Sequence, residues 1–176
     1  MVELRLYVEG GGDSKLLRTA CRQGFSEFLG KAGLKGHMPR IVACGGRKQA
    51  YDDFCTALSN GKKALLLVDS EDHVTTVSAW QHLLIRQGDQ WLTPEGASEE
   101  HCHLMVQCME SWFLADRQTL ETFFGQGFKT NALPVAANPI ESITKSRFIS
   151  RWKMPPKLAR PKMPMGRAST LSSCSR

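Results

Sequence analysis

Residues 4–17, with the sequence LRLYVEGGGDSKLL, pass from one structural element to the next. Alternating apolar residues from Leu4 to Val8 predict a short strand, and the three glycines that follow predict a tight turn. Asp13 and Ser14 are both good N-cap residues, so a helix is expected to begin at one of them. The stretch therefore predicts a strand, a glycine turn and a helix in succession.

The same succession continues along the chain. Apolar residues from Leu16 to Leu29 keep a helical period, which predicts that the first helix has one buried face. Further strands are predicted at 40–44, 64–68 and 104–108, and further helices at 49–58, 76–86 and 111–124. Strands that alternate with helices form a parallel sheet with right-handed crossovers. We therefore predict an α/β, three-layer fold, with a mainly parallel sheet of about four strands and helices on both faces.

The composition is that of a globular domain. The chain has 176 residues, of which 41% are hydrophobic and 23% charged. No apolar run approaches the ~18 residues that a membrane-spanning helix needs, and no secretory signal is visible at the N-terminus. We therefore expect a cytoplasmic protein that does not contact a membrane.

The net charge of +6 comes from the end of the chain. Residues 145–176 hold nine of the 23 Lys and Arg residues and no Asp or Glu. Residues 1–144 therefore have 14 basic residues against 17 acidic ones. A mildly acidic domain suits a carboxylate metal site and gives no electrostatic argument of its own for binding a polyanion.

The six cysteines have neither the CxxC spacing of zinc knuckles nor the density of a disulfide framework. We expect them to be reduced thiols. His101, Cys102 and His103 are adjacent, with Cys108 nearby, but adjacent residues of an extended chain point to opposite faces. This arrangement argues against a zinc site.

Acidic residues follow three of the predicted strands: Glu9 ends the first, Asp69 and Glu71 follow the third, and Glu110 follows the fourth. The carboxyl ends of parallel strands meet at one edge of a sheet, so these side chains are expected to lie together. Like charges held together need a cation, and oxygen ligands favour Mg²⁺ or Mn²⁺. The predicted ligands are Glu9, Asp69 and Glu71, supported by Asp72 and Glu110.

Each of these acids also has a purely structural interpretation. Glu9 could be a turn residue. Negative charges favour helix N-termini, which could explain Glu71, Asp72, Glu110 and also Asp116. The coincidence of position at one edge of the sheet favours the metal site.

The glycine turn lies at the same edge. Its sequence, EGGGDS, fits neither GxxxxGK[ST] nor GxGxxG, which argues against a nucleotide P-loop. Gly10 and Gly11 would still allow a phosphate to approach the backbone at a helix N-terminus. Arg47 and Lys48, after the second strand, are the other predicted phosphate contacts, with a solvated pair at a helix start as the alternative.

Two stretches, LYVEGGGDSKLL at 6–17 and ALLLVDSED at 64–72, resemble the Toprim domain of topoisomerases, primases and OLD-type nucleases. That family carries a glutamate after its first strand and a DxD pair after its third. The resemblance implies a Toprim-like fold with Glu9, Asp69 and Glu71 as catalytic metal ligands. Glutamate here replaces the second aspartate of the pair, and Asp72 follows it as a substitute.

A narrower resemblance rests on YVEGGGDSKLL, on CGGR at 44–47 and on MVQCMESWFLAD at 105–116. Together they resemble the small Toprim-related proteins encoded beside an ATPase in bacterial anti-phage systems of the PARIS type. The resemblance covers about residues 1–144. It implies a metal-dependent endonuclease effector that cuts RNA, such as tRNA, or DNA, and an ABC-type or AAA ATPase partner that senses infection and controls the nuclease.

The segment 145–176 does not resemble the end of such proteins. Permitted codons for Ser150 to Arg176, translated one frame over, give a basic amphipathic segment that does, which places a frameshift near residues 145–150. We therefore interpret 1–144 as the Toprim-like domain and 145–176 as a frameshifted, disordered tail whose altered sequence would impair activity.

Two other functions stay open. The first is a phosphatase or a receiver-like phosphoacceptor that uses Asp69, although a receiver would have an acidic pair where this chain has only Glu9. The second is a non-catalytic interaction module whose acidic edge is covered by a partner. The sequence does not separate RNA from DNA as the substrate, and it is compatible with a homodimer.

Overall fold

The computed structural model describes residues 3–125, 128–133 and 143–146. Four strands form one sheet in the order β2-β1-β3-β4: β1 (Leu4–Glu9), β2 (Arg40–Gly45), β3 (Lys63–Asp69) and β4 (Cys102–Met105). All three pairings of these strands are parallel. The helices around them are α1 (Lys15–Leu29), α2 (Arg47–Ser59), α3 (Ala79–Ile85), α4 (Met109–Trp112) and α5 (Arg117–Phe124). The predicted α/β, three-layer fold with a parallel sheet is confirmed.

The two faces of the sheet bury alternate side chains of the same strand. Leu6 and Val8 of β1 pack with Phe25 of α1 on one face. Tyr7 packs with Phe54 of α2 on the other. Successive residues of a strand point to opposite faces, so a sheet covered on both sides needs apolar residues throughout its central strands. This is the reason why the apolar runs of the sequence located the strands.

Helix α1 begins where the sequence predicts. Ser14 is its N-cap, and the Ser14 Oγ accepts a hydrogen bond from the Leu17 N–H at 3.1 Å. The prediction of one continuous buried face is wrong, because only Phe25 of this helix is buried. Leu16, Leu17 and Phe28 are each more than half exposed. Helix α1 therefore leaves part of its apolar face uncovered by the described residues.

Strand β4 begins two residues earlier than predicted. It spans Cys102–Met105 instead of 104–108. Its partner β3 ends at Asp69, which pairs with Met105, the last residue of β4. The two strands therefore end together, at the polar end of β3.

The helix predicted at 111–124 is two helices. Helices α4 and α5 are separated by a 3-10 turn at Phe113–Ala115 and by Asp116. The Asp116 side chain accepts a hydrogen bond from the Thr119 N–H at 2.9 Å, which caps α5. An aspartate that bonds to the backbone in this way begins a new helix instead of continuing the old one.

A separate apolar cluster lies after β4 and holds the last described segment. We call it the C-terminal cluster; its buried members are Leu114, Leu120, Leu133 and Ile143. Ile143 is 1% exposed, so the segment 143–146 is anchored to the domain.

The sequence predicts that the chain has no membrane-spanning helix and that its cysteines are reduced thiols. Within the described ranges, no helix has both the length and the apolar composition that crossing a bilayer requires. The cysteines in these ranges are free, as expected: Cys21, Cys44, Cys55, Cys102 and Cys108.

Candidate metal centre

Three carboxylates from adjacent strands meet at the carboxyl edge of the sheet. Glu9 is the last residue of β1, Asp69 is the last residue of β3, and Glu71 lies two residues further on. One oxygen of each carboxylate lies within 4.8 Å of the other two. The structure thus brings together the three residues that the sequence predicts as principal ligands. We call this set the acidic triad.

Backbone donors fix two members of the acidic triad. The Asp69 N–H donates to Glu9 Oε2 at 3.1 Å, across the neighbouring strands β1 and β3. The Met109 N–H, at the start of α4, donates to Asp69 Oδ1 at 2.9 Å. Both side chains are largely buried, so these hydrogen bonds restrict their rotamers.

The third member, Glu71, has an uncommon backbone conformation. Its φ is +64°, in the left-handed region that residues with a side chain adopt rarely. The Glu71 N–H donates to the Gln107 carbonyl at 2.8 Å, and the Ser70 N–H donates to the Met105 carbonyl at 3.0 Å. The segment after β3 is therefore held against the segment after β4. Strain of this kind costs on the order of 1–3 kcal/mol and concentrates at functional sites.

Arg47, at the start of α2, contacts the acidic triad from one side. Its Nη1 lies 3.3 Å from Glu9 Oε2 and 2.5 Å from the Asp69 carbonyl oxygen. Its other nitrogens bind Asp89, with Nε to Oδ1 at 2.9 Å and Nη2 to Oδ2 at 2.5 Å. The guanidinium carbon lies 5.1 Å from the ring centre of Trp91. Arg47, which the sequence predicts as a phosphate contact, thus binds the acidic triad with one nitrogen and Asp89 with the other two.

Asp89 was missed by the sequence analysis. It lies in a polar loop, but its side chain is only 1% exposed, and it also pairs with Arg86 Nη1 at 3.1 Å. A buried carboxylate requires cationic partners. The nearby Trp91, an aromatic residue inside a polar loop, was the available signal that this loop packs inward.

Lys145 contacts the acidic triad from another side. Its Nζ lies 3.0 Å from Asp69 Oδ2 and 2.5 Å from Glu71 Oε1. Burial alone would lower the pKa of Lys145, but the hydrogen bond to Glu71 and the charge of Asp69 outweigh burial and raise that pKa. The ammonium is therefore charged at neutral pH.

The position of Lys145 also bears on the predicted domain boundary. A boundary at residue 144 separates this site residue from the domain that it contacts. Residues 147–176 lie outside the described residues, so their interpretation as a frameshifted tail stays a prediction.

The two cations do not fully compensate the acidic triad. Burial, followed by repulsion from Asp69, raises the pKa of Glu9 to about 7, although Arg47 and Lys145 act in the opposite direction. Burial also raises the pKa of Asp69. Three clustered carboxylates, with no nitrogen or sulfur ligand among them, form a donor set that fits a hard divalent cation.

The two secondary ligands lie outside the acidic triad. Asp72 pairs with Arg86 Nε at 2.9 Å, and its side chain is 68% exposed. Glu110 lies in the first turn of α4, from where its charge helps to raise the pKa of Asp69. Asp116 is the cap of α5, in line with its structural interpretation.

The glycine turn is engaged in internal contacts. Gly10 and Gly45 exchange two backbone hydrogen bonds, of 2.9 and 2.8 Å, so the Gly10 N–H already has a partner. Gly11 has a φ of +85°, and a Cβ at this position would lie 2.8 Å from the Arg18 Cα. Both glycines are therefore explained by the close packing of the turn against β2 and α1.

Lys48, the remaining predicted phosphate contact, lies on the surface of α2. Its side chain is 69% exposed and pairs with Asp52, one helical turn further on. In contrast to Arg47 it has no contact with the acidic triad among the hydrogen bonds and ion pairs of the described residues, and its role with phosphate stays a prediction.

The acidic triad is the only group of three or more metal-ligating side chains close enough to hold one ion among the described residues. The residues considered for zinc do not form such a group. His101 Nδ1 bonds to Ser98 within a local turn. Burial raises the pKa of the Cys102 thiol to about 12, which disfavours the thiolate that zinc requires.

An apolar groove adjoins the acidic triad. It has a volume of about 580 Å³ and lies between α1 and α4, with Leu17, Phe28 and Trp112 among its lining residues. The Phe28 and Trp112 rings are 6.0 Å apart at their centres. Met109, which binds Asp69 through its N–H, also lines this groove.

One family model matches nearly the whole chain. Residues 8–170 match the family described as "Domain of unknown function (DUF4276)". The matched residues include the acidic triad, both cations and most of the segment after residue 144. No curated protein and no solved structure matches the chain. Because the match covers well over half of the sequence, the chain belongs to the DUF4276 family.

Proposed function

We propose that the protein is a metal-dependent endonuclease that hydrolyses phosphodiester bonds of nucleic acid with Mg²⁺ or Mn²⁺. The observation that carries the proposal is the acidic triad: three carboxylates within 4.8 Å of one another at the carboxyl edge of a parallel sheet. Active sites of α/β proteins form at this edge.

Glu9, Asp69 and Glu71 would hold the metal ion. A divalent ion held there would supply positive charge for the phosphate oxygens and would activate water, which is the chemistry that phosphodiester hydrolysis needs. The raised pKa of Glu9 supports this assignment, because a cation would favour the ionised form of that carboxylate.

The chain's own residues orient the carboxylates. Asp89 fixes the guanidinium of Arg47 through two hydrogen bonds, and Arg47 in turn contacts Glu9. The Met109 N–H fixes Asp69. Arg47 would thus serve as a positioning residue for the ligands, whereas the sequence predicts that it contacts phosphate. Fixed coordination geometry is what metal-assisted attack depends on.

The substrate and the biological setting are parts of the same proposal and rest on the Toprim and PARIS-type resemblances. They are a nucleic acid substrate, either tRNA-like RNA or DNA, an ATPase partner of ABC or AAA type that controls the nuclease, and a role in anti-phage defence. A cytoplasmic location is in keeping with the free thiols of the described cysteines.

One observation favours a second candidate, the non-catalytic interaction module. Arg47 and Lys145 already bind the acidic triad, so the carboxylates have partners without a metal ion. The two candidates differ in one measurable property, because only the nuclease requires a divalent cation for its function.

The test is cleavage of end-labelled tRNA and of plasmid DNA by the full chain in Mg²⁺, Mn²⁺ or EDTA. We expect cleavage of at least one substrate with metal and none in EDTA. A Glu9→Gln protein purified in parallel should be inactive, which also controls for contaminating nucleases. Glu121→Gln, a matched change at an exposed position of α5, should cleave at the parent rate. Equal cleavage by the parent and Glu9→Gln proteins would overturn the proposal, as would no cleavage under any condition by both this chain and a chain whose C-terminal segment is restored to the other reading frame.

A further inference from the structure

Lys145 is a charged side chain inside the candidate metal centre to which no role has been given. Resting on the proposed metal centre, we propose that Lys145 is its exchangeable cation. The ammonium occupies the space between Asp69 and Glu71 that a divalent ion requires, and the ion binds only as the ammonium leaves.

The geometry makes the two cations mutually exclusive. The Lys145 Nζ bridges Asp69 Oδ2 at 3.0 Å and Glu71 Oε1 at 2.5 Å. Both carboxylates belong to the acidic triad. Mg²⁺ binds carboxylate oxygens at about 2.0–2.1 Å, so an ion shared by these groups would lie next to the ammonium. Two positive charges at such a distance repel strongly in a partly buried site.

Arg47 is not the cation that leaves. Its guanidinium is held by both oxygens of Asp89, and its central carbon lies 5.1 Å from the ring centre of Trp91. The Asp89 side chain is 1% exposed, so removing Arg47 would deprive a buried carboxylate of a partner. The Lys145 ammonium, by contrast, donates its hydrogen bonds to Asp69 and Glu71, both members of the acidic triad.

The backbone near Lys145 keeps the displaced ammonium close. Ile143, two residues earlier, is 1% exposed within the C-terminal cluster. The flexible stem of a lysine allows its ammonium to move while Ile143 stays packed. Metal and ammonium therefore compete within one molecule, and the competition lowers the apparent metal affinity by a constant factor.

The experiment measures Mn²⁺ binding by calorimetry or electron paramagnetic resonance on the full chain, without nucleic acid. Lys145→Met keeps an unbranched side chain but removes the charge. We expect it to bind Mn²⁺ about tenfold more tightly than the parent, within the usual range of coupling between two ligands. Lys31→Met, an equal charge change just beyond the far end of α1, should leave the affinity unchanged.

A second measurement uses the unmodified protein. Acetylation of Lys145 by acetic anhydride, followed by mass spectrometry, should become faster on addition of Mn²⁺, because the released ammonium loses its carboxylate partners. Acetylation of Lys31 should not respond to the metal. This readout does not depend on how well a Lys145 variant folds.

The outcomes separate this inference from the proposed function. If the parent and Lys145→Met proteins bind Mn²⁺ equally well and the acetylation rate does not change, the metal centre stands and the exchange of cations is refuted. If neither protein binds Mn²⁺, the metal centre itself fails and the inference fails with it. If Lys145→Met binds Mn²⁺ more tightly than the parent and Lys31→Met does not, the result supports both the metal centre and the exchange of cations.

Discussion

The Glu9 carboxylate accepts a hydrogen bond from the Asp69 backbone N–H at 3.1 Å. This contact joins the ends of the adjacent strands β1 and β3, which are 60 residues apart in sequence. One ligand of the candidate centre is thus oriented by the backbone of another. The relative position of the Glu9 and Asp69 carboxylates therefore depends on the register of the sheet. The acidic triad cannot form before β1 and β3 have paired.

Glu9→Gln should change how stability depends on pH. The folded-state pKa of Glu9 is about 7 against an ordinary value of 4.5 because of burial and repulsion from Asp69. Between these values the folded protein binds more protons than the unfolded chain, so stability falls as the pH rises from about 4.5 to 7. Removing this effect should stabilise the Gln variant above pH 7 by up to about 3 kcal/mol relative to the parent.

The measurement is urea unfolding in EDTA at pH 5 and pH 8. The gain in stability from Glu9→Gln should be small at pH 5 and large at pH 8. An equal effect at both values, whether a gain or a loss, would mean that Glu9 is ionised throughout this range in the folded protein.

Gly11→Ala should destabilise the fold. An alanine Cβ would lie 2.8 Å from the Arg18 Cα, and the φ of +85° is unfavourable for alanine. We expect a loss of roughly 1–3 kcal/mol in the free energy of unfolding. Gly24→Ala, in the middle of α1, adds a Cβ with no atom within 4 Å among the described residues beyond its chain neighbours and the helix backbone, and should instead stabilise by about 0.5–1 kcal/mol. Urea unfolding of both variants checks the pair, and equal effects would contradict the argument.

Asp89→Asn should destabilise the protein far more than Asp72→Asn. Asp89 is buried and pairs with both Arg47 and Arg86, whereas Asp72 is 68% exposed and pairs with Arg86 alone. Removing the buried partner should cost about 3 kcal/mol, and removing the exposed one less than about 1 kcal/mol. Thermal unfolding at low and high salt measures both, and similar losses for the two variants would show that Asp89 is solvated.

Glu71→Gly should separate metal binding from stability. Glycine adopts the φ of +64° without strain, which offsets its larger loss of conformational freedom on folding. The free energy of unfolding in EDTA should therefore change by less than about 1 kcal/mol. Mn²⁺ binding should weaken by at least about tenfold, because a carboxylate of the acidic triad is lost. Unchanged Mn²⁺ binding would remove Glu71 from the centre.

The sequence predicted those features that depend on local periodicity or on strand ends. The sheet is buried on both faces, so its strands appear as apolar runs, and the position of Glu9 and Asp69 after such runs was sufficient to place them together. The helix break at Asp116 was missed because its capping bond competes with the helical period. Asp89 and Lys145 were missed for another reason: their partners are 42 and 74–76 residues away, and no local pattern records such contacts.

The order of the site residues along the chain has a consequence for protein synthesis. Lys145 follows Glu71 by 74 residues. At about 5–20 residues per second, the ribosome needs roughly 4–15 s to add that stretch. All three carboxylates are therefore made well before the lysine that competes for them. Under the proposed exchange, a metal ion present during translation meets a nascent chain that does not yet carry its internal competitor.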